Sequence, residues 1–437
     1  MPMDSREARL ELDRMRHNAH VERQRLDLFE RYHRGHHDWP YQPSTATVEF
    51  KTLAERAITN LLPLVVDTLV ERLYVDGYRP EVQDDANSRA WDWWQANGLD
   101  SRQKQLYETV AINGYGFVLV LPGDPVPWMR PASARSWHAE YVEPDDDWPT
   151  RAVRMDAGGK TARLLDADAL YVMERSGNRW DVSEVWEHGL GVCPLVRFRC
   201  RWDLDHDHPI GEVEPLLRIQ DRLNQTVFDL LVAQTYASVP QKYITGLVEQ
   251  DDQSIAHALA KRVWTFDEPG TEVGQLGEAN LNNIVQAISN TLRVYGLVSK
   301  TPPHYLLGEI VNLSAEALTA ADTSLSKKVE DRQTVIGESW EQALRLAGVA
   351  AGDEEAAGDH ASQVVWRDTD PRALSSTVDA LSKMVEGLQV PPEMTWPMIP
   401  GWTQQDVERA QAIRQEGDPL AQVEEEIARQ LEGHADA

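Results

Sequence analysis

Cysteine is nearly absent from this 437-residue chain. The two present, Cys193 and Cys200, have six residues between them in "CPLVRFRC", which fits neither a disulfide framework nor a zinc site. Reduced, buried thiols of a cytosolic product are expected instead. Long apolar runs are also missing. The most apolar stretch, Leu61 to Val75, is interrupted by Pro63, Asp67, Glu71 and Arg72, so no bilayer span is expected. The polar N-terminus holds no apolar leader-type segment. Basic residues are scarce: 43 Lys and Arg stand against 71 Asp and Glu, a net charge of −28. That argues against a tight, sequence-independent grip on DNA, which needs many cationic phosphate contacts. It leaves room for a protein that handles DNA without holding it. Complete catalytic signatures are missing as well. There is no HExxH and no nucleophile elbow. "GYGF" (114–117) is too short for a dinucleotide fingerprint and is followed by a strand pattern rather than a helix. No enzyme activity and no cofactor are expected.

One fragment of a signature is present. Gly159-Lys160-Thr161 is how an ATP-binding phosphate loop ends. The full pattern, G-x-x-x-x-G-K-[ST], needs a first glycine where this chain has Arg154, and a strand-to-helix setting. Here Thr150 to Met155 alternates like a half-buried strand, and Ala169 to Met173 reads as another. Gly158-Gly159 between them predicts a hairpin.

Hydrophobic residues make up 42% and charged residues 26%, an ordinary globular composition. Residues 1 to about 113 read as helical. Asp4 to His33 forms one charged amphipathic helix, Ala46 to Val75 a second, and "RAWDWWQANGLD" a short third that stops at Gly98. From 114 to 200 the period changes to two, and an antiparallel meander is expected. Its strands are "FVLVL" (117–121), "SWHAEYV" (136–142), "RAVRM" (151–155), "ALYVMER" (169–175), "RWDVSEVW" (179–186) and "PLVRFRC" (194–200). A long amphipathic helix follows from 211 to 240. A small module over 246–278 comes next, with a helix pattern in "DQSIAHALA" and strand patterns in "RVWTF" and "TEVGQL". Residues 280–299 are helical, with Leu281, Ile284, Val285, Ile288 and Leu292 on one stripe. Two prolines and a glycine then forbid a continuous helix through "KTPPHYLLGEIVNL" (300–313). Ser314 predicts an N-cap for the longest helix, which runs to about Ala347. An acidic linker, a strand at "QVVWRD" (363–368) and a helical tail complete the chain.

Candidate chemistry is thin. His33, His36 and His37 lie close together, but no carboxylate or cysteine sits at ligand spacing, and a solvated helix end is expected. "DLDHDHP" (203–209) begins like a calcium loop but has His208 where such a loop needs a glycine at the sixth place. It reads as a polar loop, and no metal is expected. Fifteen Trp and many acids raise a glycoside hydrolase, which needs two carboxylates across a sugar. Yet Trp91 and Trp94, three apart on a helix, read as core.

The order of these pieces resembles the portal proteins of tailed bacteriophages, the SPP1-type group common in phages of actinobacteria. The similarity is carried by "NLLPLVVDTLVERLYVDGY" (60–78), "WDWWQANGLD", "NGYGFVLV", the Gly211-Glu212 pair before the run ending in D-x-x-N (Asp221, Asn224), and "VVWRD" followed by a helix. It implies an α+β, mainly helical portal fold that forms rings. Residues 1–210 would be the wing, 211–245 the first stem helix, 246–278 the clip and 279–299 the second stem helix. Residues 300–313 would be the tunnel loop, 314–350 a long wing helix, 351–387 the returning wing strand and helix, and 388–437 a crown-like helical end.

The implied function is a homododecameric channel at one capsid vertex, through which a terminase motor drives double-stranded DNA and DNA later leaves. The implied partners are the terminase large subunit, the major capsid and scaffolding proteins, a head–tail adaptor, and DNA without sequence specificity. The implied place is the virion, after synthesis in the host bacterial cytoplasm. Pro302, Pro303, His304 and Tyr305 would line the tunnel. Lys242, Lys261 and Arg262 would face partners from the clip. Twelve copies would carry −336, an acidic channel that repels phosphate and lets DNA slide. The alternatives are a soluble hydrolase and another head–tail connector, such as an adaptor, which is usually much shorter.

Overall fold

Asp4 starts the first helix, α1 (Ser5–His33), by accepting from the backbone N–H of Arg6 and Glu7 at 2.7 and 2.8 Å, while Glu7 returns a carboxylate to the Asp4 N–H. This reciprocal cap satisfies donors that a helix end leaves open. The computed structural model describes residues 2–80, 88–156, 158–177, 179–202, 208–237, 242–245, 272–275, 281–307, 315–367, 374–399 and seven positions between 402 and 414. The patterns at "DQSIAHALA" and "RVWTF", most of "DLDHDHP", Ser314 and most of the C-terminal tail lie outside the described residues.

The helix expected over Ala46 to Val75 is two helices, α2 (Val48–Arg56) and α3 (Leu62–Val70). Pro63 sits in the first turn of α3, where its missing N–H costs nothing. The strand β1 (Val75–Arg79) follows. Then come α4 (Ser88–Ala96) and α5 (Leu99–Asn113), joined through Gly98 at φ +62°.

The β region holds β2 (Tyr115–Leu121), β3 (Trp128–Ser133), β4 (Trp137–Glu140), β5 (Arg151–Met155), β6 (Thr161–Leu165), β7 (Ala169–Ser176), β8 (Arg179–Glu187) and β9 (Leu195–Arg199). The expected single meander is two sheets. β4 to β8 form a consecutive five-stranded meander, while β2 lies between β3 and β9 in a three-stranded sheet. Tyr115 to Val120 are all buried, which marks a central strand covered on both faces rather than one of an alternating series. Gly158-Gly159 turns β5 into β6, with Gly159 at φ +62° and its N–H on the Asp156 carbonyl. The strand β6 begins at Thr161, so no helix follows Lys160 to receive a phosphate.

After a 3-10 turn (Glu214–Leu216) the chain enters α6 (Leu217–Ala237), then the antiparallel pair β10 (Lys242–Thr245) and β11 (Glu272–Gln275), and returns as α7 (Leu281–Ser299). A short α8 (Pro303–Leu307) precedes α9 (Ala315–Ala351), 37 residues long or about 55 Å. The acidic linker contains α10 (Glu354–Gly358). β12 (Gln363–Trp366) pairs antiparallel with β1, and α11 (Leu374–Leu388) and α12 (Pro392–Thr395) follow.

The largest core joins α1, α3, α4, α5, β2, β9 and α9. Trp94 stacks on Trp91 and meets Trp340 edge-on, and Phe198 meets Trp340 at 4.7 Å. The Trp340 indole N–H donates to the Tyr107 hydroxyl at 2.8 Å. These tryptophans are core, as their helical spacing predicts. A second cluster packs Ala8, Leu12 and Met15 of α1 on Val153, Leu164, Tyr171 and Trp180 of the meander.

Candidate functional site at the root of the paired helices

α6 and α7 pack as an antiparallel pair, since Tyr295 near the end of α7 donates to Gln220 near the start of α6. The root of α6 is polar and buried. Asn224 accepts from the Thr59 N–H at 3.1 Å and donates to His37 Nδ1 at 2.9 Å; Gln220 accepts from the Leu61 N–H and donates to the Thr59 carbonyl. These bonds satisfy the backbone at the break between α2 and α3, which explains why one helix becomes two. Asp221 accepts from the Tyr32 hydroxyl at 2.9 Å.

His37 departs from expectation. Its imidazole is buried, stacked on Tyr32 at 4.8 Å, and donates from Nε2 to the Tyr32 carbonyl. Burial lowers its pKa below the ordinary histidine value. His36 is exposed and His33 half-buried. Among the described residues no group of three His, Cys, Asp or Glu is placed to hold a metal.

One turn before α6 lies a buried charge cluster. Gly211 and Gly114 bring two backbones together: a Cβ on Gly211 would stand 2.7 Å from the Ala111 carbonyl oxygen, and one on Gly114 would stand 2.3 Å from that of Pro209. The Glu212 N–H donates to the Ala111 carbonyl at 2.7 Å, which points its side chain at α9. There its carboxylate meets Lys328 Nζ at 2.7 Å and Arg332 Nη2 at 3.1 Å, and the Cys200 thiol donates to it at 3.5 Å. Burial alone would raise the Glu212 pKa, but Lys328 and Arg332 outweigh it and hold the carboxyl below the ordinary glutamate value. Lys328, only 3% exposed, also donates to the Ser299 carbonyl at 2.8 Å.

Ser299 ends α7. Lys300 takes φ +53°, and the Thr301 N–H returns to the Gly296 carbonyl at 3.0 Å. This is a left-handed helix stop made without glycine. Thr301 and Pro302 are buried in the protomer. His304 Nε2 stands 3.7 Å from Asp322 of α9, whose other oxygen meets Arg72, just past the end of α3, at 3.5 Å. Tyr305 is 40% exposed. Pro303 begins α8. Lys242 opens β10, while Lys261 and Arg262 lie outside the described residues. The structure thus gathers Pro302, Pro303, His304 and Tyr305 at one end of the helix pair.

Glu212, Lys328, Arg332, Asn224 and His37 were not singled out by sequence as site residues. A signal was there for the cations. Lys328 and Arg332 fall on the same stripe of α9 as Leu325, Val329 and Ile336, so two charges interrupt an apolar face.

A cavity of about 330 Å³ lies elsewhere, lined by Glu22, Tyr115, His138, Tyr141, Arg197 and His208 among others. Glu22 is the one carboxylate on its described walls, so it holds no acid pair for cleaving a sugar.

Comparison with known proteins bears on this geometry. The family model described as "Phage portal protein, SPP1 Gp6-like" matches residues 12–420. The portal protein of Mycobacterium phage L5 is 29% identical over 346 residues, covering 74% of this chain and 71% of that protein. That of Mycobacterium phage D29 is 28% identical over 345 residues, with the same coverage. Among solved structures, a chain in the virion of a native gene transfer agent particle aligns at 11% identity and a TM-score of 0.48, over 81% of this chain and 96% of that one. A chain in the neck of a native gene transfer agent particle, computed with C12 symmetry, gives 11% and 0.48 over 84% and 96%. With a family model spanning nearly its whole length, the chain belongs to the SPP1 Gp6-like family of phage portal proteins, structural components of the phage head rather than enzymes.

Proposed function

We propose that twelve copies of the chain close into a ring at one capsid vertex of the virion. Its axial channel admits double-stranded DNA during packaging and releases it at ejection. In this reading the α6–α7 pair is the stem, and the β10–β11 hairpin leads to the clip, where the terminase large subunit and a head–tail adaptor dock. The segment after α7 faces the channel through Tyr305, and residues 388–437 form the crown. Lys242, Lys261 and Arg262 face partners from the clip. The wing meets the capsid and scaffolding proteins.

The observation that carries the reading is an uncovered face on α7. Leu297 is 79% exposed and lies opposite the buried stripe of Tyr295 and Ser299, and Val294 and Val298 are exposed beside it. A helix whose one face packs on α6 and whose other face stays apolar in water needs a neighbour. A second copy of α6–α7 supplies one at every position of a closed ring. Native mass measurement with negative-stain microscopy tests this. Rings with a central hole and a mass near twelve times 49.4 kDa are expected. A species that stays monomeric even with its scaffold and capsid proteins would overturn it.

A further inference from the structure

We infer that the Glu212–Lys328 pair is a clamp that fixes the direction in which the chain leaves α7 toward the channel. The inference rests on the reading of residues 300–313 as channel-facing.

Lys328 makes two contacts from one ammonium group. It meets Glu212 at 2.7 Å and the Ser299 carbonyl at 2.8 Å. The second contact places a cation on the C-terminus of α7, where the helix leaves carbonyls unsatisfied and its dipole is negative. The first ties that cation to Glu212, which precedes the 3-10 turn leading into α6. Three elements, the root of α6, the end of α7 and the middle of α9, therefore meet at one nitrogen.

The turn beyond it is strained. Lys300 adopts φ +53°, a region that favours glycine. Such a conformation persists only where its surroundings over-determine it. The surroundings are Lys328 on the residue before it, the Thr301 N–H on Gly296, and Gly296 itself. A Cβ at Gly296 would stand 3.0 Å from the Thr301 carbonyl oxygen and 3.1 Å from Leu306. The chain is folded back onto α7 closely enough that a side chain at 296 would push it away by a few tenths of an ångström. Apolar residues would fill the same space at lower cost than three buried charges. What apolar residues cannot do is grip a carbonyl, so direction is the property the pair supplies. Lys328 and Glu212 act as positioning residues through Ser299.

Hydrogen exchange on purified full-length rings tests the clamp. In Lys328→Met the Glu212 carboxylate keeps Arg332 at 3.1 Å, so no lone charge is left buried and folding is retained. Amides 299–307 are expected to exchange roughly tenfold faster, while those of β2 and α5 are unchanged. Lys328→Arg restores most of the protection, and Lys300→Gly in the Lys328→Met background restores part of it by removing the strain. If Lys328→Met fails to fold, the triple replacement Glu212→Leu, Lys328→Met, Arg332→Met removes the clamp without stranding a charge. Exchange that rises evenly across the chain, or not at all at 299–307, would overturn the inference. The same variants are scored for DNase-protected DNA in particles. Reduced packaging with intact rings is expected; packaging at the unsubstituted level despite loosened amides would also overturn it. Failure of the unsubstituted chain to support packaging would instead sink the portal reading.

Discussion

Glu212 is a carboxylate that burial disfavours and two cations retain. Its thiol neighbour stays protonated, because burial and then the Glu212 charge push the Cys200 pKa up to about 12. Removing the carboxylate strands Lys328 in an environment with little water and leaves Arg332 only the exposed Asp331 as a carboxylate partner. Glu212→Gln should therefore cost about 3–5 kcal/mol, whereas replacing all three by apolar residues should be close to neutral. The pH dependence has a definite sign. The folded pKa of Glu212 lies below the ordinary value of 4.5. The stabilisation is complete above the unfolded pKa and is lost as pH falls through the folded one. Urea midpoints of the natural chain should fall from about pH 5 to about pH 3, and those of Glu212→Gln should fall less steeply over that interval. Equal slopes would mean that the cluster contributes nothing to acid stability. The two histidines nearest the helix roots differ from it. His37 is held neutral by burial and a fixed hydrogen-bond pair, and His304 stands beside Asp322.

Helices stand or fall by which face is covered, and α7 has one face too many. Leu297 is 79% exposed and has little packing to lose, so Leu297→Asp should change the stability of the protomer by no more than about 0.5 kcal/mol. It should abolish rings, with circular dichroism unchanged and sedimentation showing small species. Rings of normal size in that variant would place the subunit contact elsewhere. Element scale is also where the sequence is most readable. The start of α1 at Asp4, the Gly98 stop, the 3.6-residue stripe of α7 and the Gly158-Gly159 turn are local chemistry, and each lies where its residues predict. Strands β3 and β6 were missed because "WMRPAS" carries a proline and "TARLL" is short. "WMRPAS" shows no alternation and "TARLL" alternates over only four residues, and both are held by their neighbours. The split between α2 and α3 depends on side chains of α6 more than 150 residues away. The charge cluster was invisible for the same reason. Cys200, Glu212, Ser299, Lys328 and Arg332 meet only once β9, α6, α7 and α9 are packed, and no spacing in the chain encodes that meeting.

At the scale of the whole molecule, charge decides how a ring would treat DNA. Each chain carries −28, and closing twelve around one axis concentrates that field rather than cancelling it. Many of the described cations are paired: Arg14 with Glu140, Arg25 with Glu22, Arg135 with Asp27, Arg367 with Asp76. Paired cations have little to offer a phosphate. A duplex inside such a channel would meet a net repulsive field and no deep binding minimum, which suits passage driven by an external motor. Binding of linear duplex DNA by purified rings should accordingly be weaker than about 10⁻⁵ M. Its dependence on salt should be shallow, because few counterions are released when few phosphates are neutralised. Fluorescence anisotropy from about 50 to about 200 mM salt reads both quantities. Tight binding that collapses by about 10³-fold over that range would reveal a row of unpaired cations in the channel. The ring would then be gripping DNA rather than sliding along it, and Lys242, Lys261 and Arg262 would be the first positions to neutralise.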